Sequence, residues 1–241
     1  MAEYRIQNLR KTFTLNGKPY DVIRGLDLRG DSNEITVILG RSGCGKTTLL
    51  KTLCGLEPAD TGTMFFPGRK KLSMVFQEPR LMPWLDTEKN INFGLSKSAI
   101  NPGKTAELIR ITGLEGFEKA YPAQLSGGMQ HRVALARALA CEPELVLLDE
   151  PFAALDYFTR SAMQKELRRI HREAKMGGIF VTHNIDEAIL LGDHICIMAN
   201  GVISDEFHQA PEEDERSLLS EPAISLKQEI LSGLENAARS G

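Results

Sequence analysis

Nine residues, Gly40-Arg41-Ser42-Gly43-Cys44-Gly45-Lys46-Thr47-Thr48, bring three glycines, a lysine and two adjacent threonines together in the order a phosphate cradle needs. Without a Cβ at Gly40, Gly43 and Gly45, the backbone can turn successive N–H groups inward, toward phosphate oxygens. A helix opening at Lys46 would add the positive end of its dipole at the same point. In such a cradle Lys46 reaches the β- and γ-phosphates and the Thr47 hydroxyl ligates Mg²⁺. The bland alternative is a glycine-rich turn with no ligand. The flanks weigh against it, because an apolar run, Ile35 to Leu39, precedes the loop and a helical stretch, Thr47 to Cys54, follows it.

Four further places carry chemistry of the same kind. Leu145-Val146-Leu147-Leu148-Asp149-Glu150 is a continuous apolar strand that ends in two carboxylates, as in a buried parallel strand whose C-terminal edge meets a ligand. Near a triphosphate, Asp149 would hold Mg²⁺ through its water shell and Glu150 would orient or deprotonate the attacking water. Ser126-Gly127-Gly128 opens a helix rich in Ala, Leu and Arg, which is a second anion-binding geometry or an ordinary N-cap. Gln77 and His183 each stand at the end of a strand. There a glutamine can touch a metal-bound water and a histidine a γ-phosphate, or both can merely satisfy backbone groups.

The elements that must position these residues alternate between strand and helix patterns. Residues 3 to 9 read as a half-buried strand, and a second strand near Tyr20 to Leu28 follows the turn Asn16-Gly17. Phe13 or Tyr20 could offer a ring face to a purine, though an aromatic at such a position is more often a core or surface residue than a base platform. Leu49, Leu50 and Leu53 form a helix face closed by Gly55 and Pro58. Thr63 to Phe66 and Lys71 to Phe76 read as short strands separated by Pro67-Gly68. From Thr87 to about Ala120 the pattern is mixed and helical, interrupted at Asn101-Pro102-Gly103 and Gly113, and is read as an inserted lobe. Asp156 caps a helix with Met163, Leu167, Ile170 and Ala174 on one face. Gly178 to Thr182 is a buried strand, and Asn200-Gly201 marks a hairpin between His194–Met198 and Val202–Glu206. The loop Gln77-Glu78-Pro79-Arg80-Leu81-Met82-Pro83-Trp84-Leu85 holds the chain's one tryptophan. Its apolar residues are either tucked into a core or offered to a partner. Beyond Pro211, with Glu212-Glu213-Asp214-Glu215 and weak helical character from Ile224 to Ala238, a mobile or partner-dependent appendix is expected.

At 241 residues the chain holds one large domain or a domain with an inserted lobe, and a formal net charge of −3 gives no basic footprint for nucleic acid. The four cysteines lack both metal-ligand spacing and the density of a disulfide framework, so a reducing cytosol is expected. Met1 to Phe13 has no apolar h-region and is not read as a signal peptide. No apolar run approaches the roughly 20 residues that span a bilayer.

Taken in order, Gly40 to Thr48, Gln77, Leu125 to Met129, Leu145 to Glu150, Ala154-Leu155-Asp156 and His183 resemble the nucleotide-binding subunit of an ATP-binding cassette (ABC) transporter. The resemblance runs from Glu3 to Phe207. It implies an α/β fold: a RecA-like P-loop NTPase core with an N-terminal antiparallel β-subdomain and an inserted α-helical subdomain at about 79–140. Together these form an ABC ATPase domain over residues 1–210, with a C-terminal tail at 211–241.

It also implies roles. Gly43, Gly45, Lys46, Thr47 and Thr48 correspond to the Walker A cradle, and Gln77 to a Q-loop that senses Mg²⁺ and couples to the membrane subunit. Ser126, Gly127 and Gly128 correspond to a signature motif that completes the ATP site of the opposite protomer. Asp149 and Glu150 correspond to the Walker B pair, Asp156 to the D-loop and His183 to the switch histidine, with Phe13 the first choice for the aromatic that stacks on adenine and Tyr20 the second. The implied partners are a second copy of the chain when ATP is bound, two transmembrane permease subunits and, through them, a substrate-binding protein. The implied location is peripheral, on the cytoplasmic face of the cell membrane.

Gly40 to Lys46, Pro79 to Leu85 and Tyr121 to Met129 look most like importers of the nitrate, aliphatic sulfonate, taurine and bicarbonate type. Three departures stand out: Met129 in place of a common glutamine, Ala153 in place of Ser or Gly, and a short stretch between Gly94 and Gly113. A soluble ABC-type ATPase for cofactor assembly or repair keeps every ATP residue and changes only the partner, so a solvent-facing Trp84 would favour transport. A single-site P-loop kinase or GTPase-like switch has no use for Ser126-Gly127-Gly128.

Overall fold

A computed structural model describes residues 3–66, 72–153, 155–174, 176–210 and 216–239. The expectations that rest on Pro67-Gly68, Lys71, Ala154, the side chain of Ala174 and residues 211–215 lie outside them.

Strands β1 (Glu3–Leu15) and β2 (Lys18–Asp31) form a long antiparallel hairpin around Asn16-Gly17, whose φ values of +51° and +75° suit the two-residue turn that this dipeptide predicts. Strand β3 (Ile35–Leu39) is buried along its whole length and leads into α1 (Lys46–Leu53). Strand β4 (Thr61–Phe65) joins the free edge of β1 and completes a three-stranded sheet in the order β2-β1-β4. Strand β5 (Leu72–Val75), although next in sequence, belongs to a second sheet. The two short strands expected around Pro67-Gly68 are therefore not partners.

The second sheet has six strands in the order β5-β6-β7-β3-β8-β9, with β6 (Leu145–Asp149), β7 (Gly177–Thr182), β8 (His194–Ala199) and β9 (Val202–His208). Every pair is parallel except β8–β9, a hairpin turning at Asn200-Gly201 with φ of +50° and +80°. β3, β6 and β7 are buried on both faces, which is why they read as unbroken apolar runs rather than alternating ones. One face packs with α1 against the three-stranded sheet, and the Tyr4 hydroxyl crosses that layer to donate to Thr36 Oγ1 at 2.6 Å.

The other face carries the helices. In the lobe, α2 (Thr87–Ile91) is capped by Asp86 and α3 (Pro102–Ile111) by Asn101, whose Oδ1 accepts from the Gly103 and Lys104 amides at 3.0 and 3.2 Å. Asn101-Pro102-Gly103 thus opens a helix, with proline at its first turn, where no amide is needed. Gly113, with φ +60°, closes it. Both helices pack on α4 (Gly127–Ala140) through Ile91, Leu108, Ile109 and Val133. Next come α5 (Tyr157–Ala174), which buries Met163 and Leu167, and α6 (Ile185–Leu191).

The tail corrects the expectation of a mobile appendix. Helix α7 (Glu221–Arg239) lies on α6, β8 and β9, with Ala223 and the fully buried Ile230 in the main core. Burying Ile230 alone is worth roughly 1.5–3 kcal/mol. Lys227 pairs with Asp186 at 2.6 Å, and Arg216, ahead of the helix, meets Asp193 at 2.8 Å.

Candidate nucleotide site

The loop between β3 and α1 is wedged between two backbones. Gly45 holds φ +109°, and a Cβ there would lie 2.9 Å from the Val22 carbonyl of β2. A Cβ on Gly40 would collide with the Met198 carbonyl at the end of β8 and lie 2.8 Å from Cys44 Sγ. Inside this turn Lys46, only 5% exposed, donates from Nζ to the carbonyls of Gly40 and Arg41 at 2.8 and 3.0 Å and passes 4.0 Å from Cys44 Sγ.

Beside the loop opens a cleft of about 400 Å³. Ser42, Gly43, Gly45, Lys46, Thr47 and Thr48 line one side; Gln77 and Glu150 stand at another. Phe13 and Tyr20, a cross-strand pair of the hairpin, both line the cleft, and the Lys11 ammonium sits 5.0 Å from the Phe13 ring centre. Leu15 and Val22 complete the wall. Neither residue carries a sequence signal beyond strand alternation.

The carboxylates reach this cleft from the end of β6. Thr47 Oγ1 donates to Asp149 Oδ1 at 3.0 Å, so a hydroxyl and an acid, both hard oxygen donors, already touch. Burial pushes the Asp149 carboxyl up; the Thr47 hydroxyl opposes the rise and the Glu150 charge adds to it. Lys46 and Lys51 also favour the charged form, and a buried carboxyl already touching a hydroxyl is a fit for a hard divalent cation. Glu150 adopts φ +47°, a left-handed conformation uncommon for a residue with a side chain. Its Oε2 lies 3.0 Å from Nδ1 of His183, which follows β7.

Ser126, Gly127, Gly128 and Asp156 do not line the cleft. Ser126 caps α4, accepting from the Met129 amide at 3.2 Å, and a Cβ on Gly127 would meet nothing within 4 Å. Asp156 caps α5, accepting from the Thr159 amide at 3.0 Å. The ordinary N-cap role is thus real for both, and the helix start at Gly127 is left open to solvent.

One residue near the site escaped the sequence. Glu187 accepts from the Thr182 hydroxyl at 2.5 Å directly behind His183, and burial pushes its carboxyl up. Its only signal is the capping-box spacing from Asn184, which describes a helix start and not a contact to β7.

A P-loop core, an acid pair at the end of the neighbouring strand and an aromatic hairpin over the cleft define a P-loop nucleoside triphosphatase. Residues 23–153 match the family model described as ABC transporter. The chain is 44% identical over 207 residues to an uncharacterized ABC transporter ATP-binding protein of Methanocaldococcus jannaschii, covering 82% of this chain and 78% of that one. It is 45% identical over 195 residues to the aliphatic sulfonates import ATP-binding protein of Bacillus subtilis, covering 78% and 76%. Among solved structures, the ATP-binding cassette MJ0796 in a dimeric post-hydrolysis state bound to ADP and Pi superposes with a TM-score of 0.80 at 28% identity, over 87% of this chain and all of that one. The chain belongs to the ABC transporter family and is an ATP-binding, ATP-hydrolysing subunit of that family.

Proposed function

We propose that this chain drives a solute importer by closing and reopening a head-to-tail pair of itself around two ATP molecules. The observation that carries the two-copy arrangement is the split site: the cradle of Lys46 and Thr47 faces one cleft, while Ser126, Gly127 and Gly128 present an open helix N-terminus that does not line that cleft. Each cleft then needs the Ser126 end of a partner copy to cover its terminal phosphate. The dimeric MJ0796 structure supports this reading.

In that arrangement Lys46 exchanges the Gly40 and Arg41 carbonyls for β- and γ-phosphate oxygens. Thr47 and Asp149, with Gln77 nearby, would hold Mg²⁺, which supplies neutralisation of phosphate charge. Glu150 positions the attacking water, and His183, anchored to Glu150 through Nδ1, is set to meet the γ-phosphate. Phe13 is the aromatic assigned to the adenine ring. Asp156 lies at the D-loop, between the two sites. When hydrolysis removes the γ-phosphate, the bridge it makes between Lys46 of one copy and Ser126 of the other is lost and the pair opens.

The transport partner is supported by Trp84. The residue is 69% exposed, while its loop is hydrogen-bonded from below. The fully buried Asn90 accepts from the Met82 amide at 2.8 Å and donates to the Met82 and Leu85 carbonyls at 3.1 and 2.8 Å, and Arg137 donates to the carbonyls of Pro79 and Arg80. A tryptophan displayed on a braced loop is a docking surface, which favours permease subunits over a soluble ATPase. No described helix is long and apolar enough to cross a membrane, so the chain would sit peripherally on its permease, at the cytoplasmic face. A substrate-binding protein would act through that permease.

The solute class is nitrate, sulfonate, taurine or bicarbonate, with aliphatic sulfonates favoured by the Bacillus subtilis relative. Host cells lacking this chain should lose uptake of labelled alkanesulfonate, regain it with the wild-type chain and fail to regain it with Lys46→Ala. Uptake unchanged by deletion, for all four solutes, would refute the assignment.

A further inference from the structure

Away from the nucleotide cleft, the β8–β9 hairpin places His194, Glu206 and His208 on one face of its ladder. Strand residues two apart share a face, so His194 lies beside Cys196 on β8 and Glu206 beside His208 on β9. In this register His194 pairs directly with His208, and Cys196 with Glu206. His194 Nε2 lies 2.8 Å from Glu206 Oε2, and the two imidazole rings stack at 4.2 Å between centres and 6° between planes. One ligand atom from each of the three residues lies within 4.8 Å of the others.

We propose that His194, Glu206 and His208 form a binding site for a divalent transition cation, Zn²⁺, with two imidazole nitrogens and one carboxylate oxygen as ligands and the fourth position open to water. Zinc takes this donor set, and bond lengths of about 2.1 Å place tetrahedral ligands roughly 3.4 Å apart. Glu206 and His208 stand on an exposed edge strand, so closing the remaining distance, about 1.4 Å, asks these two surface side chains to turn toward the buried His194, with the His208 ring leaving its stack so that both imidazole lone pairs meet at one ion.

Cys196, whose Sγ is 3.3 Å from His194 Nε2, is a buried neighbour of the site and is not needed to complete the three-ligand set.

The site is independent of nucleotide chemistry. His194 begins β8, whereas Met198, whose carbonyl abuts the phosphate loop, lies four residues on, roughly 13 Å along the strand. A cation there would clip edge strand β9 to β8.

The test is titration of chelator-stripped, nucleotide-free protein with Zn²⁺ in competition with a chromogenic chelator, alongside thermal melts. One equivalent should bind with Kd below about 1 µM, and His208→Ala and Glu206→Gln, both exposed, should fold normally and weaken binding by at least about 100-fold. Zn²⁺ should raise the melting temperature of the wild type and leave that of His208→Ala unmoved. Absence of one-equivalent binding, or equal affinity in wild type and both variants, would overturn the site.

Discussion

Glu150 and His183 face each other at 3.0 Å across the ends of two neighbouring parallel strands, Oε2 to Nδ1. This contact leaves the other histidine nitrogen free of Glu150 and ties the carboxylate to the strand beside it. Replacing His183 with Ala should lower kcat about 100- to 1,000-fold with little change in ATP affinity, because the proposed contact to the γ-phosphate is lost while the Lys46 cradle stays intact. Steady-state hydrolysis and fluorescent-nucleotide binding on the same preparation separate the two effects.

The braced loop predicts a separation of coupling from chemistry. Trp84→Ala removes an exposed ring and should leave the melting temperature and the basal ATPase rate of the isolated subunit unchanged, while uptake in host cells falls at least about tenfold. Asn90→Ala strips buried partners from Met82 and Leu85. It should cost about 1–3 kcal/mol of stability and impair uptake more than ATPase. A Trp84→Ala protein with normal uptake would remove the loop from the interface.

Asp193 makes stability depend on acid pH. Burial would push its carboxyl up, but the Ile35 amide that it accepts from and the guanidinium groups of Arg168 and Arg216 outweigh burial and hold it below the usual carboxylate range. A depressed folded value means the contribution is complete above the unfolded carboxylate value near pH 4 and is lost as pH falls through the folded one. Asp193→Asn should therefore destabilise by about 2–4 kcal/mol at pH 7, a gap that stays level down to about pH 5 and narrows below pH 4. Denaturant melts across that range measure it.

Helix α7 is part of the core, and Ile230→Ala should cost about 2–4 kcal/mol and lower the melting temperature by several degrees. A substitution at the exposed Leu231 on the same helix should do neither. Equal, negligible effects at both positions would return the tail to an appendix.

The legible parts of this molecule were those where local chemistry dictates local shape. Gly40 to Thr48, the apolar run into Asp149-Glu150 and the dipeptides Asn16-Gly17 and Asn200-Gly201 each carry their geometry in consecutive residues, and each lies where the sequence places it. What stayed hidden depends on distant partners. Ile224 to Ala238 shows only weak helical character because its stability comes from α6, β8 and β9, not from its own propensity. The separation of β4 and β5 into different sheets has no local mark either. Glu187 is silent because its partner, Thr182, is met only once α6 folds back on β7. The exposed setting of Trp84 has no local mark either, because the loop around it is fixed by Asn90, which reaches back to the Met82 and Leu85 carbonyls.

The most direct measurement is the mass in solution of Glu150→Gln, which keeps the cradle and removes the carboxylate proposed to place the water. With ATP and Mg²⁺, light scattering after gel filtration should give twice the mass of the chain, and a single copy when ADP replaces ATP or when Ser126 is also changed to Arg. A single copy at every ATP and protein concentration, with or without permease present, would contradict the claim that each site is built from two chains.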